Sequence, residues 1–233
     1  MDLKRFFSDV KIKGETASLS GEEFFHAVKV TRHKVGYKLI ICDNSGKDFY
    51  ATVSEIRSDS LIAKIDEVRI NETESDFNVD LYIGNNKDLD VVVQKAVELG
   101  VKRIIPFTSD HCNVKTVNYD RLNKIILESS KQCGRSVLAE ISNLISFNEI
   151  PEKVKNSQVF AFYEFEESNK IKNEKLNNKN ISIIVGCEGG FSNEEVNFLR
   201  NKGIKTFTLG KRILRVATAV VAACVLINDK AEN

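Results

Sequence analysis

A glycine-rich stretch in the last third of the chain has residue types that could hold a ligand. It follows the apolar run 181–185 and contains Gly186, Glu188, Gly189 and Gly190. Ser192 and Glu195 fit a capping box, which predicts a helix beginning at about Asn193. A strand, a glycine loop and a helix N-terminus in this order place free N–H groups beside a ligand. The spacing disfavours a mononucleotide phosphate loop, and a tight structural turn is an equal alternative.

A second stretch, Leu209–Arg215, lies between a predicted strand and a predicted helix. Its arginines, Arg212 and Arg215, stand among apolar residues at the predicted carboxyl edge of a sheet, where open α/β sheets bind ligands. Guanidinium groups can hold phosphate or stabilise an anionic base. The alternative is a surface pair that caps nearby carbonyl groups.

Two further features are weaker on their own. Gln94 and Glu98 follow a helical spacing that is typical of a solvent-facing stripe. Gln132, Cys133, Gly134 and Arg135 mark a helix end with a glycine stop. A cysteine there could be a nucleophile, but no histidine stands in a supporting motif, so a buried thiol is favoured.

Composition excludes several classes of protein. The chain has 233 residues, of which 42% are hydrophobic and 29% charged, so it is neither disordered throughout nor fibrous. No apolar run reaches the ~18 residues of a membrane span, and the charged start does not resemble a secretion signal. Five scattered cysteines without a CxxC pair, and only three histidines, favour reduced thiols and no metal site. We therefore expect a cytoplasmic protein without a membrane segment.

The charge distribution suggests a polyanionic partner. The net charge is only +1, yet the stretches 24–41 and 196–228 contain no acidic residue and several lysines and arginines. Such stretches are typical of polyanion contacts. Acidic residues from elsewhere in the fold could equally cancel them.

The pattern of elements divides the chain in two. Short strands with Asn/Gly turns predict a small barrel or sandwich over residues 1–70, interrupted by one helix around 21–31. The polar segment 71–76 is the best candidate boundary. Beyond it, strands alternate with helices and predict a mostly parallel α/β sheet. The predicted strands are 79–84, 103–107, 159–163, 181–186 and 205–209, and the predicted helices are 89–99, 119–133, 193–201 and 216–227.

Together these motifs resemble the RsmE family, the bacterial 16S rRNA uracil-N3 methyltransferases of the SPOUT superfamily. The resemblance is carried by Gln94-Lys95, Glu98-Leu99-Gly100-Val101, Gln132-Cys133-Gly134-Arg135, Gly186-x-Glu188-Gly189-Gly190 and Leu209-Gly210-x-Arg212-x-Leu214-Arg215. The amino-terminal motifs are Arg5-Phe6-Phe7 and His26-x-x-Lys29-Val30-x-Arg32-x-Lys34-x-Gly36. The similarity covers nearly the whole chain.

The resemblance implies a PUA-like RNA-binding β-barrel over residues 1–70, a linker over 71–78, and a SPOUT α/β methyltransferase domain with a deep trefoil knot over 79–233. It also implies a homodimer that binds S-adenosylmethionine in the knot. The implied substrate is a uridine in the decoding region of 16S rRNA within the small ribosomal subunit.

The resemblance also assigns residues. The implied cofactor contacts are Gly186, Glu188, Gly189, Gly190, Leu209, Gly210, Ile213 and Leu214. The implied catalytic residues are Arg212, Arg215 and Glu188. The implied RNA contacts are Arg5, His26, Lys29, Arg32, Lys34, Gln132 and Arg135. Gln94 and Glu98 would help to build the pocket.

Two positions depart from the family pattern. Cys187 replaces a proline of the glycine loop, and Ala217 replaces a carboxylate after the second arginine. The second departure leaves open an RNA-binding protein of this fold with reduced or lost catalysis. A methyltransferase for another rRNA or tRNA site is a further alternative.

Overall fold

The structure, a computed structural model, describes residues 3–232 and forms two compact units. The first unit comprises the chain up to Glu74 together with Leu127–Leu138. The second unit comprises Ser75–Ile126 and the chain from Ala139 onward.

The first unit is built on one five-stranded sheet. Its elements are β1 (Arg5–Phe7), β2 (Thr16–Ser20), α1 (Gly21–Phe25), β3 (Lys38–Cys42), β4 (Lys47–Ile56) and β5 (Ser60–Ile70). The strand order is β1-β3-β4-β5-β2, and every neighbouring pair is antiparallel except β1 with β3. α1 continues into a π-helical turn, His26–Val30, so the predicted helix is present. Alternating side chains of these strands form the core, which includes Phe6, Leu19, Leu39, Ile41 and Leu61.

The segment Leu127–Leu138 belongs to this first unit, although the sequence interpretation placed it in the second domain. Leu127 and Leu138 pack against Phe7, Ile40 and Cys42. The Leu138 amide also donates to Asn44 Oδ1 at 2.7 Å. Composition could not show this, because an apolar helical face does not identify its partner.

The second unit is a parallel sheet with helices between its strands. Its strands are β6 (Asn78–Gly84), β7 (Arg103–Thr108), β8 (Glu140–Ile141), β9 (Ile145–Ser146), β10 (Gln158–Phe162), β11 (Asn180–Val185) and β12 (Thr206–Phe207). Its helices are α2 (Leu89–Glu98), α3 (Tyr119–Cys133, whose second half belongs to the first unit), α4 (Ile150–Lys153), α5 (Asn193–Asn201) and α6 (Val216–Glu232). The strand order is β12-β10-β11-β6-β7-β8, with β9 also paired to β7. The predicted α/β alternation is confirmed.

The central strands of this sheet are buried along nearly their whole length. In β6 and β11 every residue after the first is buried. Both strands are therefore mostly apolar rather than alternating, and Asp80 and Ser182 are their buried polar exceptions. Among residues 3–232, no helix combines the length and apolar content needed to cross a bilayer.

A buried ion pair ties β1 to β4 in the first unit. The Arg5 guanidinium pairs with the Asp48 carboxylate, and both side chains are less than a tenth exposed. Asn71 Nδ2 donates to Asp48 Oδ2 at 3.0 Å and to the Gly134 carbonyl at 2.9 Å. Burial raises the pKa of Asp48, but hydrogen bonds from Arg5 and Asn71 outweigh it and leave that pKa below its ordinary value. The pair therefore stabilises the fold at neutral pH, and this contribution is lost as the pH falls through the lowered pKa.

We expect Asp48→Asn to lower the free energy of unfolding by about 3–5 kcal/mol, because it leaves the Arg5 charge buried without its anion. Urea unfolding at pH 7 measures the change. The control is Glu55→Gln, which breaks an exposed pair with Arg57 and should lower the free energy of unfolding far less than Asp48→Asn does, because solvent screens exposed ion pairs. Equal losses in the two variants would contradict the assignment.

Candidate functional site

The loops that follow β10, β11 and β12 line an open cleft of about 550 Å³ at the carboxyl edge of the parallel sheet. The loop after β11 contributes Gly186, Cys187, Glu188 and Gly190. The segment after β12 contributes Leu209, Gly210, Arg212 and Leu214, and the chain at the end of β10 contributes Phe162, Tyr163 and Glu164. Small molecules bind preferentially in concave sites lined by apolar groups with a few polar ones, and the lining of this cleft fits that description.

The glycine loop is a tight turn whose geometry excludes side chains. The Gly190 amide donates to the Cys187 carbonyl at 3.0 Å, and Gly190 has φ +67°. A Cβ on Gly190 would lie 1.9 Å from Glu164 Oε1, and one on Gly186 would lie 3.2 Å from the Gly190 carbonyl carbon. The tight-turn interpretation is therefore confirmed, and the same turn lines the cleft.

Neighbouring strand ends hold this turn in place. β6 pairs with β11 in parallel, and a Cβ on Gly84 at the end of β6 would lie 2.3 Å from the Cys187 backbone nitrogen. No other residue type allows the two backbones to approach so closely.

The arginine segment brings one of its two arginines to the cleft. Gly210 has φ +115°, and its amide donates to Thr208 Oγ1 at 3.0 Å. Arg212 lines the cleft, and its side chain is exposed. Among the residues described, Arg215, Ile213 and Gly189 are exposed and lie outside the lining of the cleft. Seven of the ten residues predicted for the cofactor and catalysis thus meet there.

Glu188 and Glu164 place two carboxylates at the cleft that holds the Arg212 cation. Glu188 Oε1 accepts a hydrogen bond from the Lys87 amide at 3.2 Å, just before α2. Its carboxylate therefore ties the glycine loop to the start of that helix.

The wall formed by the end of β10 is fixed by a buried carboxylate, Glu166. Its Oε2 accepts from Thr206 Oγ1 at 2.6 Å and from Arg200 Nη2 at 3.1 Å. Burial raises the pKa of Glu166, but hydrogen bonds from Thr206 and Ser168 outweigh it and lower that pKa to about 2. Glu166 is therefore ionised at neutral pH and holds the chain after β10 against β12.

A further loop, residues 109–112, clamps the glycine loop from the side of β7. His111 Nδ1 lies 2.8 Å from the Gly189 carbonyl oxygen, which requires the ring to donate. Ser192 Oγ donates to Asp110 Oδ2 at 2.8 Å, and the Asp110 amide donates to Glu195 Oε1 at 3.0 Å. The sequence analysis missed this loop. The only sequence signal for this loop is its position just after the predicted strand 103–107, because the carboxyl ends of parallel strands lie at the same edge of a sheet.

The predicted capping box is present, and its glutamate also binds the loop 109–112. Ser192 Oγ accepts from the Glu195 amide, and Glu195 Oε2 accepts from the Ser192 amide at 2.9 Å. The other oxygen of Glu195 accepts from Asp110, so one carboxylate joins α5 to the clamping loop.

Cys187, which stands where the family has proline, lies beside another thiol. Ser109 Oγ is 3.2 Å from Cys112 Sγ and 4.0 Å from Cys187 Sγ, and both cysteines are buried. A hydrogen bond from Cys187 lowers the pKa of Cys112 and raises the pKa of Cys187. Cys133 is half-buried in the first unit, and its thiol donates to the Ser130 carbonyl at 3.8 Å.

The predicted RNA contacts lie in the first unit and divide into two groups. Lys29, Arg32, Lys34 and Gln132 are exposed, and His26 is half-buried. Arg5 and Arg135 are instead buried in ion pairs with Asp48 and Glu74. Each of these two guanidinium groups is engaged by a carboxylate within the fold, so an RNA contact by Arg5 or Arg135 stays a prediction.

Comparisons with known proteins agree with this architecture. The family model described as RNA methyltransferase domain matches residues 73–228, and the one described as RNA methyltransferase PUA domain matches residues 19–66. These two matches define a class: an RNA methyltransferase domain preceded by a PUA domain.

Individual relatives narrow the class. The chain is 31% identical to a ribosomal RNA small subunit methyltransferase E from Rickettsia conorii, over 88% of this chain and 86% of the relative. It is 30% identical to a protein of the same name from Buchnera aphidicola subsp. Schizaphis graminum, over 93% and 91%. The crystal structure of such an enzyme from Neisseria gonorrhoeae bound to S-adenosyl methionine superposes with a TM-score of 0.91 at 26% identity, covering 98% of each chain. The chain belongs to the ribosomal RNA small subunit methyltransferase E family. The trefoil knot stays a prediction.

We expect Glu195→Ala to loosen the clamping loop as well as the start of α5, because both lose a hydrogen-bond acceptor. Hydrogen exchange at the Asp110 and Ser192 amides should become about tenfold faster or more, because a hydrogen bond to a charged group contributes about 1.5–3 kcal/mol and each 1.4 kcal/mol is about tenfold. Glu194→Ala is the matched control, since Glu194 is an exposed carboxylate in the same helical turn. Unchanged protection at Asp110 in Glu195→Ala would show that the clamp does not depend on this carboxylate.

Proposed function

We propose that this protein transfers the methyl group of S-adenosylmethionine to N3 of a uridine in the decoding region of 16S rRNA, within the small ribosomal subunit. One observation carries the proposal: the turn after β11 and the segment after β12 meet in one cleft with Arg212 on its wall. The family membership supports the reaction class, and the resemblance of the motifs supports the choice of nucleotide.

The cleft has properties that suit this methyl donor. Leu209, Leu214 and Val216 offer an apolar surface for an adenine ring, and Gly186 and Gly190 bring backbone groups to the lining. The carboxylates of Glu164 and Glu188 favour a cationic ligand. When bound, S-adenosylmethionine supplies a methyl group on a positively charged sulfur.

Arg212 is the candidate for activating the base. Uracil N3 carries a proton and becomes an effective nucleophile only as the imide ionises. A guanidinium beside the ring favours the anion electrostatically, and removing such a group typically costs ~10²–10³-fold in rate. Glu188 is bound to the Lys87 amide, so we assign it a positioning role in the glycine loop. Arg215 and Gly189 stay candidates for contacts with RNA and cofactor.

The first unit supplies the candidate RNA contacts. Lys29, Arg32 and Lys34 are exposed cations on a stretch without acidic residues, so they suit phosphate groups. His26 and Gln132 add further hydrogen-bonding groups. The proposal includes a homodimer, which is supported by the partly exposed apolar side chains of Val225 and Leu226 on α6. It also places the protein in the cytoplasm, because small ribosomal subunits are found there.

A second candidate function rests on Ala217. It is half-buried at the start of α6 and stands where the family pattern has a carboxylate. An RNA-binding protein of this fold without catalysis would fit that loss. Positioning can contribute ~7–11 kcal/mol to catalysis, whereas a general base contributes ~10²–10⁴-fold, so the missing carboxylate leaves most of the rate enhancement available.

We expect label to pass from radioactive S-adenosylmethionine to small subunits that lack the modification. Arg212→Ala should lower kcat by about 10²–10³-fold with cofactor affinity changed less than tenfold. Lys211→Ala, which removes an exposed neighbouring cation, is the control and should stay near the wild-type rate. Nuclease digestion and mass spectrometry then locate the methyl group.

Cofactor binding without transfer to any RNA would support the second candidate function. Transfer of the methyl group to another nucleotide would contradict the proposed substrate but not the proposed class of reaction. Equal rates for Arg212→Ala and Lys211→Ala would remove Arg212 from the mechanism.

A further inference from the structure

Tyr37 is an aromatic side chain at the surface of the first unit, and half of it is exposed. It is the end of a row of rings that passes through the core. His26 lies edge-on to Phe6 with ring centroids 5.7 Å apart, Phe6 to His33 at 5.3 Å, and His33 to Tyr37 at 6.0 Å. The exposed ring is therefore backed by buried ones.

His33 gives Tyr37 a fixed, uncharged neighbour. Its amide donates to the Ala27 carbonyl at 2.9 Å, and its Nδ1 lies 2.8 Å from Thr31 Oγ1. Burial lowers the pKa of His33, so the ring is neutral at pH 7.

The backbone of Tyr37 is held as firmly as its ring. Its amide donates to the Lys34 carbonyl at 3.0 Å and closes a turn in which Gly36 has φ +88°. Two hydrogen bonds join this turn to Val53 in β4. The Gly36 amide donates to the Val53 carbonyl at 2.8 Å, and the Val53 amide donates to the Tyr37 carbonyl at 2.9 Å. A ring presented in this way loses little entropy when it binds a partner.

The stretch of sequence that carries Tyr37 is cationic. Lys29, Arg32, Lys34 and Lys38 are exposed, and no acidic residue occurs between positions 24 and 42. Arg32 has φ +58°, a left-handed conformation that is costly for a residue with a side chain. Glycine would adopt this conformation at lower cost, which makes the exposed Arg32 a candidate for a functional contact.

Exposed rings and cations together select one class of partner. Cations alone would suit any polyanion, including an RNA duplex, whose stacked bases are inaccessible to a protein ring. Exposed aromatic rings bind unpaired bases by stacking. Phe25, 58% exposed, is a second such ring in the same segment.

We propose that Tyr37 stacks on an unpaired base of the RNA while Lys29, Arg32 and Lys34 hold the neighbouring phosphates, so that this surface selects single-stranded over paired RNA. The proposal rests on the proposed function in that it assumes an RNA substrate, but it concerns RNA binding by the first unit and not the methyl transfer.

The test uses the full chain and a labelled RNA oligonucleotide, unpaired or annealed to its complement. Wild-type protein should bind the unpaired form more tightly. Tyr37→Ala should weaken that binding by about 5- to 150-fold without changing its salt dependence, and Tyr37→Phe should restore it, because a phenyl ring also stacks. Val35→Ala, which trims a 60% exposed aliphatic side chain in the same turn, is the control and should change affinity less than twofold.

The variant Arg32→Gly tests the proposed phosphate contact separately from the proposed base stacking. It should keep or raise the melting temperature, because glycine accepts the left-handed backbone. It should also lower the slope of log K against log salt by about 0.7, as expected for one lost phosphate contact on a single strand.

Wild-type affinity in Tyr37→Ala, failure of Tyr37→Phe to restore binding, or equal binding of paired RNA would each overturn the proposal. So would a Tyr37→Ala defect in self-association rather than in RNA binding. If these outcomes occur while methyl transfer persists, only this inference fails. If RNA binding follows the prediction and no methyl group is transferred, only the proposed function fails.

Discussion

The close backbone approach between the ends of β6 and β11 is the constraint on which the cleft depends. A side chain at Gly84 would strike the Cys187 nitrogen, and Gly190 has a φ of +67° that residues with a side chain rarely adopt. The absence of a Cβ at these positions lets the turn after β11 fold back tightly while its backbone stays at the cleft. The clamping loop and the Glu188 contact then fix the turn from two sides.

The local part of this arrangement was accessible from the sequence, and the long-range part was not. The helix Tyr119–Cys133 and the capping box of Ser192 and Glu195 are confirmed, because apolar periodicity and cap chemistry act over a few residues. The contacts of loop 109–112 join residues about eighty positions apart. No spacing rule predicts such contacts. The burial of Arg5 and Arg135 was missed for the same reason, since a basic residue in a motif gives no sign of its partner.

Charge is arranged differently in the two units. In the first unit, carboxylates neutralise the buried arginines, and the exposed cations of the segment around Arg32 have no acidic residue beside them in the sequence. In the second unit, Arg212 shares a cleft with two carboxylates. The first arrangement suits a phosphate backbone, and the second suits a cationic ligand beside a base that becomes anionic. The departures Cys187 and Ala217 lie in the second unit, where Cys187 remains packed against Ser109 and leaves the turn intact.

The central claim is that the turn 186–190 and the segment 209–216 form one binding site for S-adenosylmethionine. Its most direct test is a titration of isotope-labelled protein with the cofactor, followed by backbone amide NMR. The account predicts saturable shifts concentrated at those two stretches, with smaller ones at 109–112, where the clamp contacts the turn. Shifts concentrated instead at the separate cleft between Thr108 and Phe198, or none at all at saturating cofactor, would contradict it.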